Sequence, residues 1–316
     1  MELKPVVPFE PIRTEVLPAG PEWIAQVKWD GVRLLTYYDG NGTRLINRKG
    51  NERSRQYPEF MDVSSYCRAE SVILDGEMIA LAGDRPSFHE IMKRDSLRRE
   101  TEIRFAVKQI PAIHMIFDVL FYNGEWVTGR PLAERQELLQ EILIPSAQIQ
   151  LVPSYTDGER LFTVMKERGW EGVVSKRLDS LYAVGGKDGR WQKLKLGYDL
   201  YAVIGGVTYR EGGVMNALLL GLYDEEGRFV YIGHTGSGKL NQEAWRSLAQ
   251  QISALTVRER TFHNIPQRIK GAVWTRPLLT VKVQFMEWTP GGTMRHPVLQ
   301  GMADMPPESC TVTQSI

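Results

Sequence analysis

The chain has 316 residues, a length that suits two domains better than one. Hydrophobic residues make up 42% and charged residues 24%, which is the composition of an ordinary soluble globular protein. The net charge of +1 excludes a strongly basic nucleic-acid-binding protein. The part up to Gly197 has 28 basic and 28 acidic residues and the remainder has 11 and 10, so any DNA contact must come from local clusters.

The sequence carries no signal for export or for a membrane. No apolar run reaches the length needed to span a bilayer, and the first residues contain prolines and charges where a signal peptide has an apolar stretch. We therefore expect a cytoplasmic protein. Cys67 and Cys310 match no metal-ligand spacing, and we interpret them as two unpaired thiols in a reducing compartment.

The first two-thirds of the chain predict many short strands and a few helices. Strands are indicated by segments rich in β-branched and aromatic residues: Trp23–Lys28, Val32–Tyr38, Thr43–Asn47, Val72–Leu81 and Ile113–Tyr122. Residues 39–42, Asp-Gly-Asn-Gly, predict a hairpin turn. Helical spacing predicts helices over Leu132–Leu143, which follows Pro131, and Glu159–Arg168, which stops at Gly169.

After Gly197 the pattern changes to strands joined by glycines. We predict strands at Tyr201–Tyr209, Asn216–Tyr223, Phe229–His234 and Leu278–Trp288, and one helix at Leu240–Leu255. Several strands interrupted by one helix fit a small barrel such as an OB-fold. The sequence thus predicts two domains, residues 1–197 and 198–316.

Two short motifs in the first part place charges on predicted strands. Lys28 and Asp30, two residues apart, would share a strand face and could hold a metal or tune the amine; a salt bridge at a strand end is the alternative. Asp75 and Glu77 share a face inside an apolar strand, which is costly unless a cation compensates them. The alternative is a solvated sheet edge.

Three further motifs are ambiguous when each is taken alone. Phe117 lies in a strand that is apolar on both faces, so core packing is its simplest interpretation. Glu171 and Lys176 fall on opposite faces of the segment Glu171–Arg177. Lys193 and Lys195 share one strand face, opposite Leu194 and Leu196, which we expect in the core. Two adjacent like charges suit a phosphate between them, and a solvated amphipathic strand is the alternative.

The order of the motifs along the chain indicates a protein family more specifically than any single motif does. KWDGVR, NRKG, LDGE, FDVLF, EGVVSKR and WQKLK follow one another in the order and rough spacing of the nucleotidyltransferase superfamily. The set resembles the ATP-dependent DNA ligases, and within them the compact ligase module of bacterial end-joining ligases. The resemblance implies an α+β fold: an ATP-grasp-like nucleotidyltransferase domain of antiparallel sheets with flanking helices, followed by an OB-fold β-barrel.

The resemblance also implies a role for each matching residue. Lys28 would be the nucleophile that takes up AMP, and Lys193 and Lys195 would hold the α-phosphate. Gln26 and Phe117 would contact adenine, the second by stacking. Arg33 and Arg48 would contact the ribose and phosphates or the nick. Glu77 would lie near the ribose or a metal ion, and Glu171 would help to bind the metal. Asp30, from its position beside Lys28, is a further candidate metal ligand.

The same resemblance implies the cofactors and partners. ATP would donate AMP and Mg²⁺ would assist, with Mn²⁺ as an alternative. Nearby cations would lower the pKa of the Lys28 amine and so allow it to attack. The substrate would be nicked or broken double-stranded DNA, and we expect a monomer. We also expect no separate DNA-binding domain before Lys28 and no polymerase or nuclease domain after the barrel, so the enzyme must grip DNA with two domains or rely on a DNA-end-binding protein.

One feature departs from the family pattern. An Arg-x-Asp-Lys element is typical shortly after the Arg295-His296-Pro297 triplet, but positions 303, 305 and 306 are Ala, Met and Pro. The missing cations predict slow self-adenylation unless Arg295 or Arg276 substitutes. Two alternatives stay open: an RNA ligase or capping-type nucleotidyltransferase, which shares the KxDG core, and a non-catalytic OB-fold DNA-binding subunit.

Overall fold

The computed structural model describes residues 3–266 and 270–314 and separates the chain into two compact units. These units are Met1–Leu196 and Gly197–Ile316, and each has a hydrophobic core of its own. No helix in the described part of the chain is both long and apolar enough to cross a membrane.

The first unit contains eleven described strands and four described α-helices. In chain order, the strands are β1 (Glu10–Arg13), β2 (Trp23–Val27), β3 (Val32–Tyr38), β4 (Thr43–Asn47), β5 (Val72–Ala82), β6 (Arg85–Pro86), β7 (Ala112–Tyr122), β8 (Glu125–Trp126), β9 (Ile149–Leu151), β10 (Gly172–Arg177) and β11 (Lys187–Lys195). The helices are α1 (Phe88–Asp95), α2 (Glu100–Gln109), α3 (Leu132–Ile142) and α4 (Gly158–Arg168).

A seven-stranded sheet forms the larger part of this unit. Its main strand order is β4-β3-β5-β7-β8. In addition, β6 pairs with β5 and β9 pairs with β7. The central strands β5 and β7 are buried almost throughout, as their continuous apolar runs predict. Helix α3 contacts β7, and α1 contacts β5.

A four-stranded sheet with the order β1-β11-β10-β2 forms the second part of the unit. Strands β2 and β11 both pair antiparallel with β10, and β1 pairs parallel with β11. Helix α4 packs on β2 and β10, with Leu161 and Met165 against Ala25 and Val173. The sheet therefore brings the segments after β2, before β10 and along β11 side by side.

The second unit is built mainly from one bent, largely antiparallel sheet. Its described elements are β12 (Tyr198–Tyr209), β13 (Met215–Tyr223), β14 (Phe229–Thr235), α5 (Gln242–Ser253), β15 (Thr256–Val257), β16 (Ala272–Thr275), β17 (Thr280–Phe285), β18 (Glu287–Trp288), β19 (Met294–Arg295) and β20 (Val298–Ala303). The long strand β12 pairs with β13 on one edge and with both β16 and β17 along its other edge. Strand β17 also pairs with β20, and β18 and β19 form a separate hairpin.

The structure corrects the predicted elements in three places. Strand β2 ends at Val27, so Lys28 and Asp30 lie in the following loop and the strand-face argument does not apply to them. The predicted strand Leu278–Trp288 is divided near Met286, whose amide donates to the Arg295 carbonyl as the chain turns into the β18–β19 hairpin. Helices α1 and α2 were not predicted, although the Ser87 side chain caps α1 by accepting from the Glu90 amide.

Candidate active site

The carboxylate of Glu171 lies between two lysine ammonium groups. Its Oε2 is 2.7 Å from Lys28 Nζ and its Oε1 is 2.9 Å from Lys195 Nζ. Glu171 and Lys195 are almost fully buried, and about a fifth of the Lys28 side chain is exposed. The ion pair predicted for Lys28 therefore exists, but its partner is Glu171 rather than Asp30.

Backbone hydrogen bonds fix these three residues relative to one another. The Lys28 amide donates to the Gly172 carbonyl at 2.9 Å, and the Leu196 amide donates to the Glu171 carbonyl at 3.0 Å. In the β10–β11 register Gly172 is opposite Lys195. Residues far apart in the sequence are thus held by the pairing of β2, β10 and β11 rather than by side-chain contacts alone.

Lys193 and Lys195 are buried, which reverses part of the prediction. Each is 6% exposed, whereas Leu194 is only partly buried. The lysine face is covered because it points toward Glu171 and the Lys28 loop. Burial, followed by the charges of Lys195 and Lys28, lowers the pKa of Lys193 to about 7. In this structure Lys195 pairs with the Glu171 carboxylate. A phosphate between Lys193 and Lys195 stays a prediction.

Arg33 compensates the buried carboxylate of Asp75. Arg33 Nε and Nη2 donate to the two Asp75 oxygens at 2.9 and 2.6 Å, in a bidentate pair. The Tyr182 hydroxyl donates to Asp75 at 2.7 Å, and Arg33 Nη1 donates to the Phe9 carbonyl. The expectation that a cation compensates the carboxylates of this strand is met by Arg33. A contact of Arg33 with nucleotide or DNA would have to share these bonds.

Phe117 is partly buried and has charged neighbours. Lys176 Nζ lies 4.2 Å from the centre of its ring, and the Arg33 guanidinium lies 5.3 Å away. Trp191 meets the same ring edge to face, with the centroids 6.3 Å apart. Phe117 is therefore not a simple core residue, because part of its environment is cationic.

Gln26 of β2 is buried and is connected to Phe117 through hydrogen bonds. Its Nε2 donates to Ser154 Oγ at 3.1 Å and to Gln136 Oε1 at 3.5 Å. Gln136 in turn donates to the Phe117 carbonyl at 2.7 Å. The two residues expected to contact adenine thus belong to one hydrogen-bonded group.

The remaining predicted site residues lie around this centre. Asp30 is buried in the loop after Lys28, and Glu77 is opposite Arg33 in the β3–β5 register. Arg48 follows β4 and forms an ion pair with Glu10 of β1 at 3.1 Å. Within residues 3–266 and 270–314, no group of three or more His, Cys, Asp or Glu side chains is arranged to hold a metal ion. The predicted metal ligands Asp30, Glu77 and Glu171 therefore do not form one all-protein cage.

Several residues at this site were not predicted as functional. Tyr182, Gln136 and Ser154 lie outside the motifs, and no local pattern identifies them. Trp29 and Trp170 are the direct neighbours of Lys28 and Glu171, and their rings contact each other with centroids 5.4 Å apart. Their positions beside two motif residues were a signal that sequence reasoning could have used.

The geometry suits nucleophilic attack by an amine on a phosphate. Lys28 is next to two buried lysines, which supply positive charge for an anionic ligand. Glu171 occupies that position and pairs with two of the ammonium groups, so its single negative charge offsets only one of the two positive charges. A phosphate entering here would exchange one anionic partner of the lysines for another.

Comparison with known proteins identifies the family. The family model "ATP dependent DNA ligase domain" matches residues 7–195, and "ATP dependent DNA ligase C terminal region" matches residues 211–304. The chain belongs to the ATP-dependent DNA ligase family. The predicted fold class, an α+β nucleotidyltransferase domain followed by an OB-fold, is confirmed by these matches and by the solved ligase structures.

Similar proteins include bacterial and archaeal ligases. The end-joining DNA repair protein LigD of Mycobacterium tuberculosis H37Rv is 30% identical over 289 residues, which are 89% of this chain and 36% of that protein. A DNA ligase of Thermococcus fumicolans is 31% identical over 261 residues, 78% of this chain and 46% of that protein. The chain thus spans about a third to a half of the length of these relatives. The structure of a mycobacterial DNA ligase D with ATP and MES covers 97% of this chain and 98% of its own, with 26% identity and a TM-score of 0.71.

Proposed function

We propose that this protein is an ATP-dependent DNA ligase that seals breaks between a 3′-hydroxyl and a 5′-phosphate in DNA repair by end joining. Lys28 attacks the α-phosphate of ATP and releases pyrophosphate. The AMP then passes to the 5′-phosphate of the break, and the 3′-hydroxyl displaces it. Residues 1–197 form the adenylation domain in this proposal and residues 198–316 form the OB-fold domain.

The observation that carries the proposal is the Lys28–Glu171–Lys195 cluster. It combines a partly exposed amine, which can reach a substrate, with buried cations that can stabilise a phosphate. Burial, followed by the charges of Lys195 and Lys28, lowers the pKa of Lys193. The triphosphate of ATP would add negative charge beside these lysines and favour the charged form of Lys193.

The same residues fit the other parts of the substrate. Gln26 and Phe117 would hold adenine, with Arg33, Glu77 and Arg48 toward the ribose, the phosphates or the nick. Glu171, with Glu77 or Asp30, offers carboxylate oxygens of the kind that Mg²⁺ or Mn²⁺ prefers. Because Mg²⁺ keeps waters and binds substrate phosphates, it does not need a complete protein cage; when bound, it would neutralise charge on the triphosphate.

The test is the mass of the intact protein after incubation with radiolabelled ATP and a divalent metal ion. We expect the mass to increase by one AMP, and we expect nicked DNA or pyrophosphate to remove it. Lys28→Ala should abolish the adduct while Lys187→Ala, which removes an exposed lysine of β11, should keep it. An adduct that persists in Lys28→Ala would refute the assignment of the nucleophile.

The same assay separates the remaining candidates. Labelling by GTP instead of ATP would indicate a capping-type enzyme, and sealing of RNA nicks alone would indicate an RNA ligase. No labelling under any condition would favour a non-catalytic DNA-binding subunit. The proposal takes the protein to be a monomer that meets broken ends either directly or through a DNA-end-binding protein.

A further inference from the structure

Lys176 is a buried lysine enclosed by two aromatic rings. It is 2% exposed, and its Nζ lies 4.2 Å from the ring centre of Phe117 and 4.0 Å from that of Trp191. No hydrogen-bond partner for this Nζ occurs among the residues that the structure describes. A buried amine without a hydrogen bond is rare, because it loses its hydration without replacement.

The charged groups around Lys176 already have partners. Asp75 is paired with Arg33, and Asp118 forms a bidentate pair with Arg135 at 2.8 and 3.0 Å. Each pair presents one positive and one negative charge to Lys176, so neither acts as a dedicated counter-ion. The Tyr182 hydroxyl also donates to Asp75.

The two rings add a cation–π contribution to the attraction that Asp118 and Asp75 exert on the ammonium form. Burial lowers the pKa of Lys176 to about 7, against the attraction of Asp118 and Asp75 and with the repulsion of Arg33 and Arg135. The contacts with the two rings therefore act on a lysine whose pKa lies near neutral pH. Phe117 is the ring proposed above to stack on adenine.

We propose that Lys176 acts through Phe117 as a positioning residue for the nucleotide base, and that it takes up a proton when adenine stacks on that ring. A cation over one face of an aromatic ring draws electron density toward itself. The opposite face then repels the π-electrons of adenine less, so the stacked base and the ammonium stabilise each other. This inference rests on the proposed ATP-binding function of the site.

The direction in which pH changes base affinity follows because protonation of Lys176 and stacking of the base favour each other. Stacking stabilises the ammonium and raises the pKa of Lys176 above its value of about 7 in the empty site. Base affinity is then highest below pH 7, where Lys176 is already charged. It falls as the pH rises through the two pKa values, and it becomes constant above the value in the complex.

The experiment uses adenosine as a competitive inhibitor of self-adenylation by ATP. Adenosine has no phosphate, so it does not engage Lys28, Lys193 or Lys195, whose own protonation would otherwise contribute. We expect its inhibition constant to rise roughly three- to tenfold between about pH 6 and pH 8.5, a range set by the strength of a desolvated cation–π contact. Calorimetry of adenosine binding near pH 7, in two buffers of different ionisation enthalpy, should show proton uptake.

Two substitutions separate charge from packing. Lys176→Met is never charged, and its inhibition constant should equal the high-pH value of the wild type at every pH. Lys176→Arg stays charged and should keep the low-pH value throughout. The control Lys187→Met, on the exposed part of β11, should retain the wild-type profile.

The outcomes are distinct for the two proposals. If adenosine does not compete and Lys28 takes up no AMP, the proposed function fails. If adenosine competes with an inhibition constant that does not change with pH, and its binding takes up no proton, the assignment of Lys176 is wrong while the ligase proposal stands. Should both substitutions prevent folding, the proton uptake of the wild type still decides.

Discussion

At the scale of single residues, His114 shows why the LDGE motif contains a glycine. His114 is fully buried on β7, next to Gly76 of β5. A Cβ atom at position 76 would lie 2.5 Å from His114 Nε2, which is far too close. The glycine therefore makes room for an imidazole that has little access to water. Burial lowers the pKa of His114 to about 4, against a smaller opposing effect of the Leu34 backbone.

We predict that His114 destabilises the protein in acid. The unfolded state binds a proton below about pH 6.5, whereas the folded state does so only near pH 4. The free energy of unfolding therefore does not depend on His114 protonation above about pH 6.5. It decreases as the pH falls toward 4, by up to about 3 kcal/mol.

Hydrogen exchange of the β5 and β7 amides measures this free energy at each pH. His114→Leu removes the titrating group, so the difference between the wild type and this variant should change across the interval. A difference that is constant from pH 7.5 to 4.5 would contradict the prediction.

The environment of charged side chains was predictable from the sequence where they lie on a strand, because strand side chains alternate between two faces. The cost of burying Asp75 correctly indicated a compensating cation, and strand alternation correctly placed Lys193 and Lys195 on one face, although that face is the buried one. The identity of the partners was not predictable. Arg33 and Glu171 reach Asp75 and Lys28 across strand pairs, and Tyr182 lies more than a hundred residues from the carboxylate that it contacts.

At the scale of elements, the start of β10 is the most constrained segment of the site. Gly172 has φ +146°, and a Cβ atom there would lie 2.1 Å from the Leu194 carbonyl oxygen. Only glycine permits this close approach of β10 to β11. The same approach places Glu171 next to Lys195 and brings the Gly172 carbonyl to the Lys28 amide.

We predict that Gly172→Ala slows self-adenylation by at least about tenfold and costs roughly 1–3 kcal/mol of stability, the range for a residue forced into a strained conformation. Single-turnover transfer of AMP and thermal unfolding measure the two effects. Gly189→Ala is the matched control on β11, because a Cβ atom there meets its nearest neighbour at 3.8 Å. Equal activity of the two variants would show that the close approach is unimportant for catalysis.

Several element bounds were predicted to within one residue. Val32–Tyr38 and Thr43–Asn47 have the predicted bounds, and α4 starts one residue early and ends at Arg168 before Gly169. The failures have local causes. Helix α1 is short and was recognisable only by its cap, and the break after Phe285 depends on pairing with a hairpin strand that the sequence pattern does not reveal.

At the scale of the whole molecule, the second unit contains the segment that departs from the family pattern. Ala303 ends β20 opposite Thr280, whose hydroxyl donates to the Ala303 carbonyl at 2.8 Å and to the Met305 carbonyl at 3.0 Å. The backbone at this position is therefore ordered by β17, although the cations expected from the resemblance are missing.

We predict that restoring two cations with Ala303→Arg and Pro306→Lys accelerates self-adenylation by roughly tenfold or more, because the resemblance implies that these cations stabilise the departing pyrophosphate. Closure of pre-adenylated nicks should not change, since pyrophosphate has already left. Single-turnover kinetics of the two steps measure the difference.

A control with the same added charge is Val298→Arg combined with Val312→Lys, since both valines are exposed. If this control accelerates the first step as much as the restored element does, the effect is one of net charge. If neither double variant changes the first step, the missing cations have no catalytic consequence.

The parallel pairing of β1 with β11 determines when the site can appear during synthesis. Residues 10–13 pair with residues 187–193, and β2 also waits for β10. The sheet that carries Lys28, Glu171 and Lys195 therefore cannot close until the ribosome has completed β11, while β3, β4, β5 and β7 can already pair. In pulse-labelled refolding, amides of β2, β10 and β11 should gain protection after those of β3 and β5. A nascent chain that ends before β11 would thus have paired strands β3, β5 and β7 but would lack the Lys28–Glu171–Lys195 cluster.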